Sequence, residues 1–229
     1  VMAGQGGGMH KHAIQLYQTS DGGATWTPKF AIDPSLPNNT PPFGGLKNAL
    51  TFRDPSTGWI GGYSPEGGSV YLYKTTDGVL TWARRPLPLP AGSEMADFTT
   101  TAPTFFGPND AILPVWLSTN AGRDLYIYAT HDGGATWTAS TGFARSAAFV
   151  DFVSSRDIIG YDWADVFHVT NDAGNNWRLV TPNVRFTELA YQFLGMDFVS
   201  PTAGWILIEN ESRTTSLYRT TDGGATWTL

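Results

Sequence analysis

The chain has 229 residues, 41% of them hydrophobic and 14% aromatic, with nine Trp, enough apolar mass for one large domain or two small ones. Charged residues are only 15%, Gly and Pro number 26 and 15, and aromatics run along the whole length, a mix that excludes disorder and favours a turn-rich all-β protein over a helical one. Net charge is −6 with no basic run longer than Arg84-Arg85, no cysteine and no apolar run of about 20 residues, which argues against nucleic acid, membrane insertion and a disulfide framework.

The first predicted element is the hairpin LYQTSDGGATWT, starting at Leu16. Aliphatic, aromatic and β-branched residues lead to Asp21, which is strand chemistry. Asp-Gly-Gly supplies a turn, and Thr25-Trp26 begins the return strand. A proline-rich loop, DPSLPNNTPPFGG (33–45), follows. TFRDPSTGWIGGY (51–63) then reads as a strand ending in Phe, a polar turn and a second strand, and LYKTTDGVLTWA from Leu72 repeats the first phrase. The same pair recurs as TFFGPNDAILPVW (104–116) with IYATHDGGATWT from Ile127, and as DFVSSRDIIGYDW (151–163) with FHVTNDAGNNWR from Phe167. It recurs once more as DFVSPTAGWILIE (197–209) with LYRTTDGGATWT from Leu217. No window of ten or more residues has helical periodicity.

The aspartates of the recurrent phrase, Asp21, Asp77, Asp132, Asp172 and Asp222, are spaced by 56, 55, 40 and 50 residues. Thr always stands two positions before them and Trp five positions after, at Trp26, Trp82, Trp137, Trp177 and Trp227. Two hairpins per period make a four-stranded antiparallel sheet, and a sheet of about four strands repeated at this interval is a propeller blade. The predicted fold is therefore an all-β propeller with about five blades, at roughly 1–32, 43–90, 97–140, 146–182 and 187–229. The first copy lacks the upstream phrase and the last blade only begins its outer strand. Either a compact five-bladed ring or a window on a six- or seven-bladed propeller fits this count, and the window is favoured.

The phrase [Ser/Thr]-x-Asp-x-Gly-x-Thr-Trp resembles the Asp-box, or BNR repeat, of sialidases, sortilin-type propellers, xyloglucan-cleaving propellers and photosystem II assembly factors. The copies around Asp21, Asp132 and Asp222 match fully, the second has Val79 where Gly is expected, and the fourth has Asn176 where Thr is expected. TTDGGATW and DPSTGW together look most like bacterial extracellular or photosystem-assembly-like propellers. The resemblance implies that the box closes the turn between the third and fourth strands of a blade, away from any catalytic mouth. The chemistry agrees, because an Asp before two glycines accepts hydrogen bonds from following backbone N–H groups while Gly takes positive φ. Val79 is then expected to force a different turn or to leave the positive-φ place to Gly78. These aspartates and tryptophans are expected to be structural, and no catalytic residue is assigned.

Chemistry outside the boxes is sparse. The Phe-Arg-Ile-Pro signature of sialidases has no match, and Asp54, Asp157, Asp151 and Asp197 sit in repeated architectural positions. His10 and His12 in MHKH would share one face of a strand as metal ligands do, but no third ligand stands nearby, and neither a metal nor a cofactor is expected. Residues that break the repeat are the better binding candidates: Trp116 and Arg123 around the loop of the third blade, and Tyr161, Asp162, Trp163 and Asp165 in the fourth. Aromatic rings with carboxylates grip sugar rings or peptides. The expected function is a secreted or cell-surface, bacterial-type propeller that binds a protein or glycan without turning it over. The alternatives are a glycoside hydrolase or lyase with acidic catalytic residues, and a photosystem-assembly-like factor.

Overall fold

The computed structural model describes every residue except 5–7, 9, 34, 36–39, 65–67, 95 and 121. The described residues fall into two compact units, Val1–Asn120 with Thr130–Thr138, and Ala121–Ala129 with Ala139–Leu229. Parts of the proline-rich loop at 33–45 and of the glycine-rich start at 4–8 lie outside the described residues.

In the first unit, β1 (Met2–Gly4), β2 (Ile14–Gln18) and β3 (Thr27–Ala31) form a three-stranded antiparallel sheet. A four-stranded sheet follows, made of β4 (Leu46–Phe52), β5 (Gly58–Tyr63), β6 (Tyr71–Thr75) and β7 (Ala83–Arg84). Next come β8 (Asp97–Thr100), β9 (Thr104–Phe105) and β10 (Ala111–Thr119), with β8 and β9 both paired to β10. A single bridge from Tyr63 to Thr99 ties this third sheet to the second. β11 (Gly122–Thr130), up to Ala129, and β13 (Ala144–Arg145), which pairs with it, belong to the second unit, and β12 (Thr138–Ala139) lies between them in sequence.

The second unit carries the four-stranded sheet β14 (Ala147–Phe152), β15 (Ile158–Asp162), β16 (Phe167–Thr170) and β17 (Arg178–Val180). One helical turn, α1 (Phe186–Leu189), leads to β18 (Gln192–Phe198), β19 (Gly204–Glu209) and β20 (Thr215–Thr220). A bridge between Arg219 and Thr228 begins a fourth strand there. Each upstream phrase folds as read, with β4, β9, β14 and β18 ending on Phe before a polar turn. Asp54 closes one such turn by accepting from the N–H groups of Ser56 and Thr57, and Ser154 donates its hydroxyl to Asp157 in another.

Stacked sheets bury both faces of their inner strands, so β5 and β15 are almost wholly buried. Backbone approaches are close enough to require glycine: a Cβ on Gly62 would lie 1.8 Å from the Leu46 carbonyl oxygen. The first unit's core includes Ile14, Leu16, Ile60, Tyr73, Val79 and Trp82; the second's includes Ile159, Tyr161, Phe167, Phe186, Ile206 and Trp227.

All five Asp-boxes share one wiring. The Asp Oδ1 accepts from the hydroxyl of the Thr two residues earlier, and from the N–H four residues later at 2.9 Å in every copy. Oδ2 accepts from the next Thr hydroxyl, or from the Asn176 side-chain amide in the fourth copy. The earlier Thr oxygen in turn accepts from the N–H two residues past the Asp. Every lone pair that an Asx turn needs is used inside one hairpin bend. The substitution of Val79 does not change the turn. Val79 itself adopts φ +84 beside Gly78 at +70, and its N–H still donates to Thr75 at 3.2 Å. The expectation of a different turn, or of Gly78 alone at positive φ, is corrected by the four hydrogen bonds that hold this bend.

Candidate functional site: an aromatic cleft in the second unit

The turn between β15 and β16 is shaped by two carboxylates. Asp162 Oδ1 accepts from the N–H groups of Ala164 and Val166 at 2.9 and 3.0 Å, and Oδ2 lies 2.9 Å from His168 Nε2. Asp165 sits at φ +59 and ties two elements together. It accepts from the Tyr161 hydroxyl at 2.5 Å, from the Thr187 N–H at 3.1 Å and from the Thr187 hydroxyl. Burial pushes the Asp165 carboxyl up, but the hydrogen bonds from Thr187 and Tyr161 outweigh it and hold it below the ordinary carboxylate value. Burial, helped by the Asp165 bond, pushes the Tyr161 phenol well above its ordinary value.

This latch fastens α1 against the sheet and so shapes a cleft of about 350 Å³, lined by Phe149, Tyr161, Trp163, Phe186, Tyr191 and Phe193, with Thr187 and Gln192 at its polar edge. Phe149 stacks on Phe193 with ring centroids 4.4 Å apart, Phe193 stacks on Tyr161 at 5.3 Å, and Trp163 stands edge-on to Phe149 at 5.2 Å. Trp163 and Tyr191 are 60% and 62% exposed although both are large aromatics. Arg213 lies over the Tyr191 ring at 4.6 Å while donating to Glu209 at 2.6 Å. Lone exposed aromatics are ordinary, but two lining one apolar cleft with polar groups at its rim make a binding surface.

The candidates named from sequence are distributed unevenly. Tyr161, Asp162, Trp163 and Asp165 come together at this turn, but only Trp163 presents its ring to solvent. Tyr161 is fully buried, and Asp162 and Asp165 are 6% exposed with their oxygens committed to internal bonds. These three hold the turn that borders the cleft. Trp116 is also a core side chain, 7% exposed in β10. Arg123 is exposed at the start of β11, where its carbonyl accepts from the Ser146 N–H, and it is not among the residues that line the cleft. His10 and His12 do not share a strand face. His10 is in a turn at φ +60 with its ring edge toward Tyr63, and His12 Nδ1 accepts from the Lys47 N–H at 3.3 Å. Among the described residues no group of three or more His, Cys, Asp or Glu is placed to hold a metal ion.

Phe149, Thr187, Tyr191, Gln192 and Phe193 escaped the sequence reading. A signal was present: β14 is the strand paired to Tyr161, and Tyr191 and Phe193 stand two apart, one residue on each side of Gln192.

The fold and its wiring define a class: an all-β, propeller-type fold of antiparallel sheets in which an Asp-box turn recurs five times. The BNR/Asp-box repeat family matches residues 218–229. Among curated proteins, the chain is 26% identical over 160 residues to a xyloglucanase of Paenibacillus sp. That alignment takes in 69% of this chain but only 13% of the xyloglucanase, so the chain spans a small part of that relative's length. Among solved structures, YCF48 bound to D1 peptide superposes over 95% of this chain and 76% of its own, at 17% identity and a TM-score of 0.53, a likeness of fold. A mutant Aleuria aurantia lectin in complex with Fucalpha1-6GlcNAc aligns over 98% of this chain and 79% of its own, at 10% identity and a TM-score of 0.45.

Proposed function

We propose that this propeller is a non-catalytic binding protein that grips a glycan in the aromatic cleft of its second unit. The observation that carries the reading is the pairing of Trp163 and Tyr191, both more than half exposed, in one cleft floored by stacked Phe149 and Phe193. Aromatic faces take up the C–H surface of a sugar ring, and Thr187, Gln192 and the Asp-held turn supply polar groups at the edge. A relative named as a xyloglucanase makes a polysaccharide the ligand to try first. Hydrolysis at this cleft would need two available carboxylates about 5–9 Å apart. Asp162 and Asp165 are instead saturated by internal hydrogen bonds, which supports binding without turnover.

Affinity electrophoresis in gels containing xyloglucan or other soluble polysaccharides tests this. The intact chain should be retarded by at least one of them. Trp163→Ala and Tyr191→Ala should each weaken binding by about 1–2 kcal/mol, roughly tenfold, with unchanged circular dichroism. A chain that runs freely through every gel, or that shortens the polysaccharide, would sink the reading.

A further inference from the structure

One side chain at the rim of the aromatic cleft stands on a backbone that does not suit it. Arg213 lies in the tight turn between β19 and β20 at φ +61. Three hydrogen bonds hold that turn, each at 3.0 Å: the Asn210 N–H donates to the Thr214 carbonyl, the Arg213 N–H to the Asn210 carbonyl, and the Thr214 N–H to Asn210 Oδ1. The left-handed place in a hairpin favours Gly or Asn, and a longer L side chain is strained there. Asp165, which latches α1 beside the same cleft, is also held at positive φ. Strain of this kind gathers where a side chain has to be aimed.

Arg213 is aimed at Tyr191. Its guanidinium carbon lies 4.6 Å from the centre of that ring, and its Nη1 donates to Glu209 Oε1 at 2.6 Å. The Glu209 carbonyl accepts from the Tyr191 N–H at 2.8 Å, so one residue anchors both the tyrosine backbone and the arginine that covers the tyrosine ring. With one face of the ring capped, the other is left to whatever enters the cleft. The charges around the cleft are spent on one another. The lining itself carries none. Arg213 is paired with Glu209, Arg185 on the flank of α1 with Glu188 at 2.7 Å, and Asp162 with His168 at 2.9 Å. Asp165 is held by hydroxyl and N–H donors and keeps its negative charge. An anionic ligand would meet that carboxylate, and would have to displace Glu209 or Glu188 to reach a guanidinium.

We propose, resting on the reading that this cleft binds a glycan, that its ligand is an uncharged sugar chain and that Arg213 is the positioning residue that holds Tyr191 as one wall of the site. A neutral pyranose ring lays its C–H surface on Trp163 and Tyr191 and offers hydroxyls to Thr187 and Gln192, with no ion pair broken.

Affinity electrophoresis against a neutral panel (xyloglucan, galactomannan, mixed-linkage glucan) and against polygalacturonate, together with thermal melts, provides the test. The intact chain should be retarded by a member of the neutral panel and run freely through polygalacturonate. Arg213→Gly should weaken the neutral interaction about fivefold. Its melting temperature should be equal or higher, because relief of the left-handed strain offsets an exposed ion pair. Arg213→Lys keeps the charge but not the flat guanidinium, so it should bind between the two. Retardation by polygalacturonate as strong as by the neutral panel overturns the ligand class and leaves the glycan reading standing. A Gly variant that binds like the intact chain overturns the role of Arg213, and so does one that loses binding and stability together, which would mark a support of the fold. A chain retarded by no polysaccharide defeats the glycan reading itself, and this inference with it.

Discussion

At Val79 a β-branched side chain is held at φ +84, where four of the five equivalent positions have Gly. That backbone costs an L-residue about 1–2 kcal/mol. The side chain offsets the cost by lying 7% exposed in the cluster with Leu16, Ile60 and Trp82. The usual ranking of small residues should therefore invert. Val79→Ala loses most of the packing and keeps the strain, while Val79→Gly loses the packing and relieves the strain. Urea denaturation should find the Ala variant about 1 kcal/mol less stable than the Gly variant. An Ala variant at least as stable as the Gly variant would mean that the bend rearranges when the side chain shrinks. Ala173, at φ +58 in the fourth box, is a milder instance of the same compromise.

Between residue and sheet, Lys47 on β4 shows how a side chain can fasten an irregular segment. It is 3% exposed, and its ammonium donates to the carbonyls of Phe43, Gly44 and Gly45 at 3.0–3.2 Å. Three donors meet three acceptors, so the buried charge organises the approach to β4. Lys47→Met fills similar space but strands those acceptors, and calorimetry should show a loss of about 2 kcal/mol or more. A melting temperature equal to that of the unchanged chain would mean the carbonyls do not depend on it. Elements of this kind mark the boundary of what was legible. The Asp-box was readable because its bonds join residues no more than four apart. The aromatic cleft was only half readable, because Phe149, Trp163 and Phe193 come from segments up to 44 residues apart and meet only after the sheets form. The burial of Tyr161 and Trp116 is not legible in the sequence for a related reason. Strands covered on both faces carry apolar side chains on both, so alternation does not tell which ring reaches water.

Across the whole molecule the five box carboxylates act in the same direction. Hydroxyl and backbone donors hold Asp21, Asp77, Asp132, Asp172 and Asp222 below the ordinary value of 3.8, Asp172 at about 2, the side-chain donor of the following Thr or Asn being the largest cause each time. A depressed folded value means that the unfolded chain takes up protons first as pH falls. The stability these groups contribute is thus complete above the ordinary value and is lost as pH drops from about 4 through the folded values. Asp151 opposes the trend, since burial raises it despite the N–H groups of Phe198 and Phe152. Five lowered groups outweigh it, so the urea midpoint should be level from pH 7 to 5 and fall steeply below about pH 4. A midpoint that holds level down to pH 2 would show that the box bonds survive protonation. Since a bend closes with partners at most four positions away, it can form before any distant segment has been found. Five such bends give the collapsing chain five independent nuclei, each already committed to which two strands will lie side by side, and leave only the slower search by which neighbouring hairpins find one another.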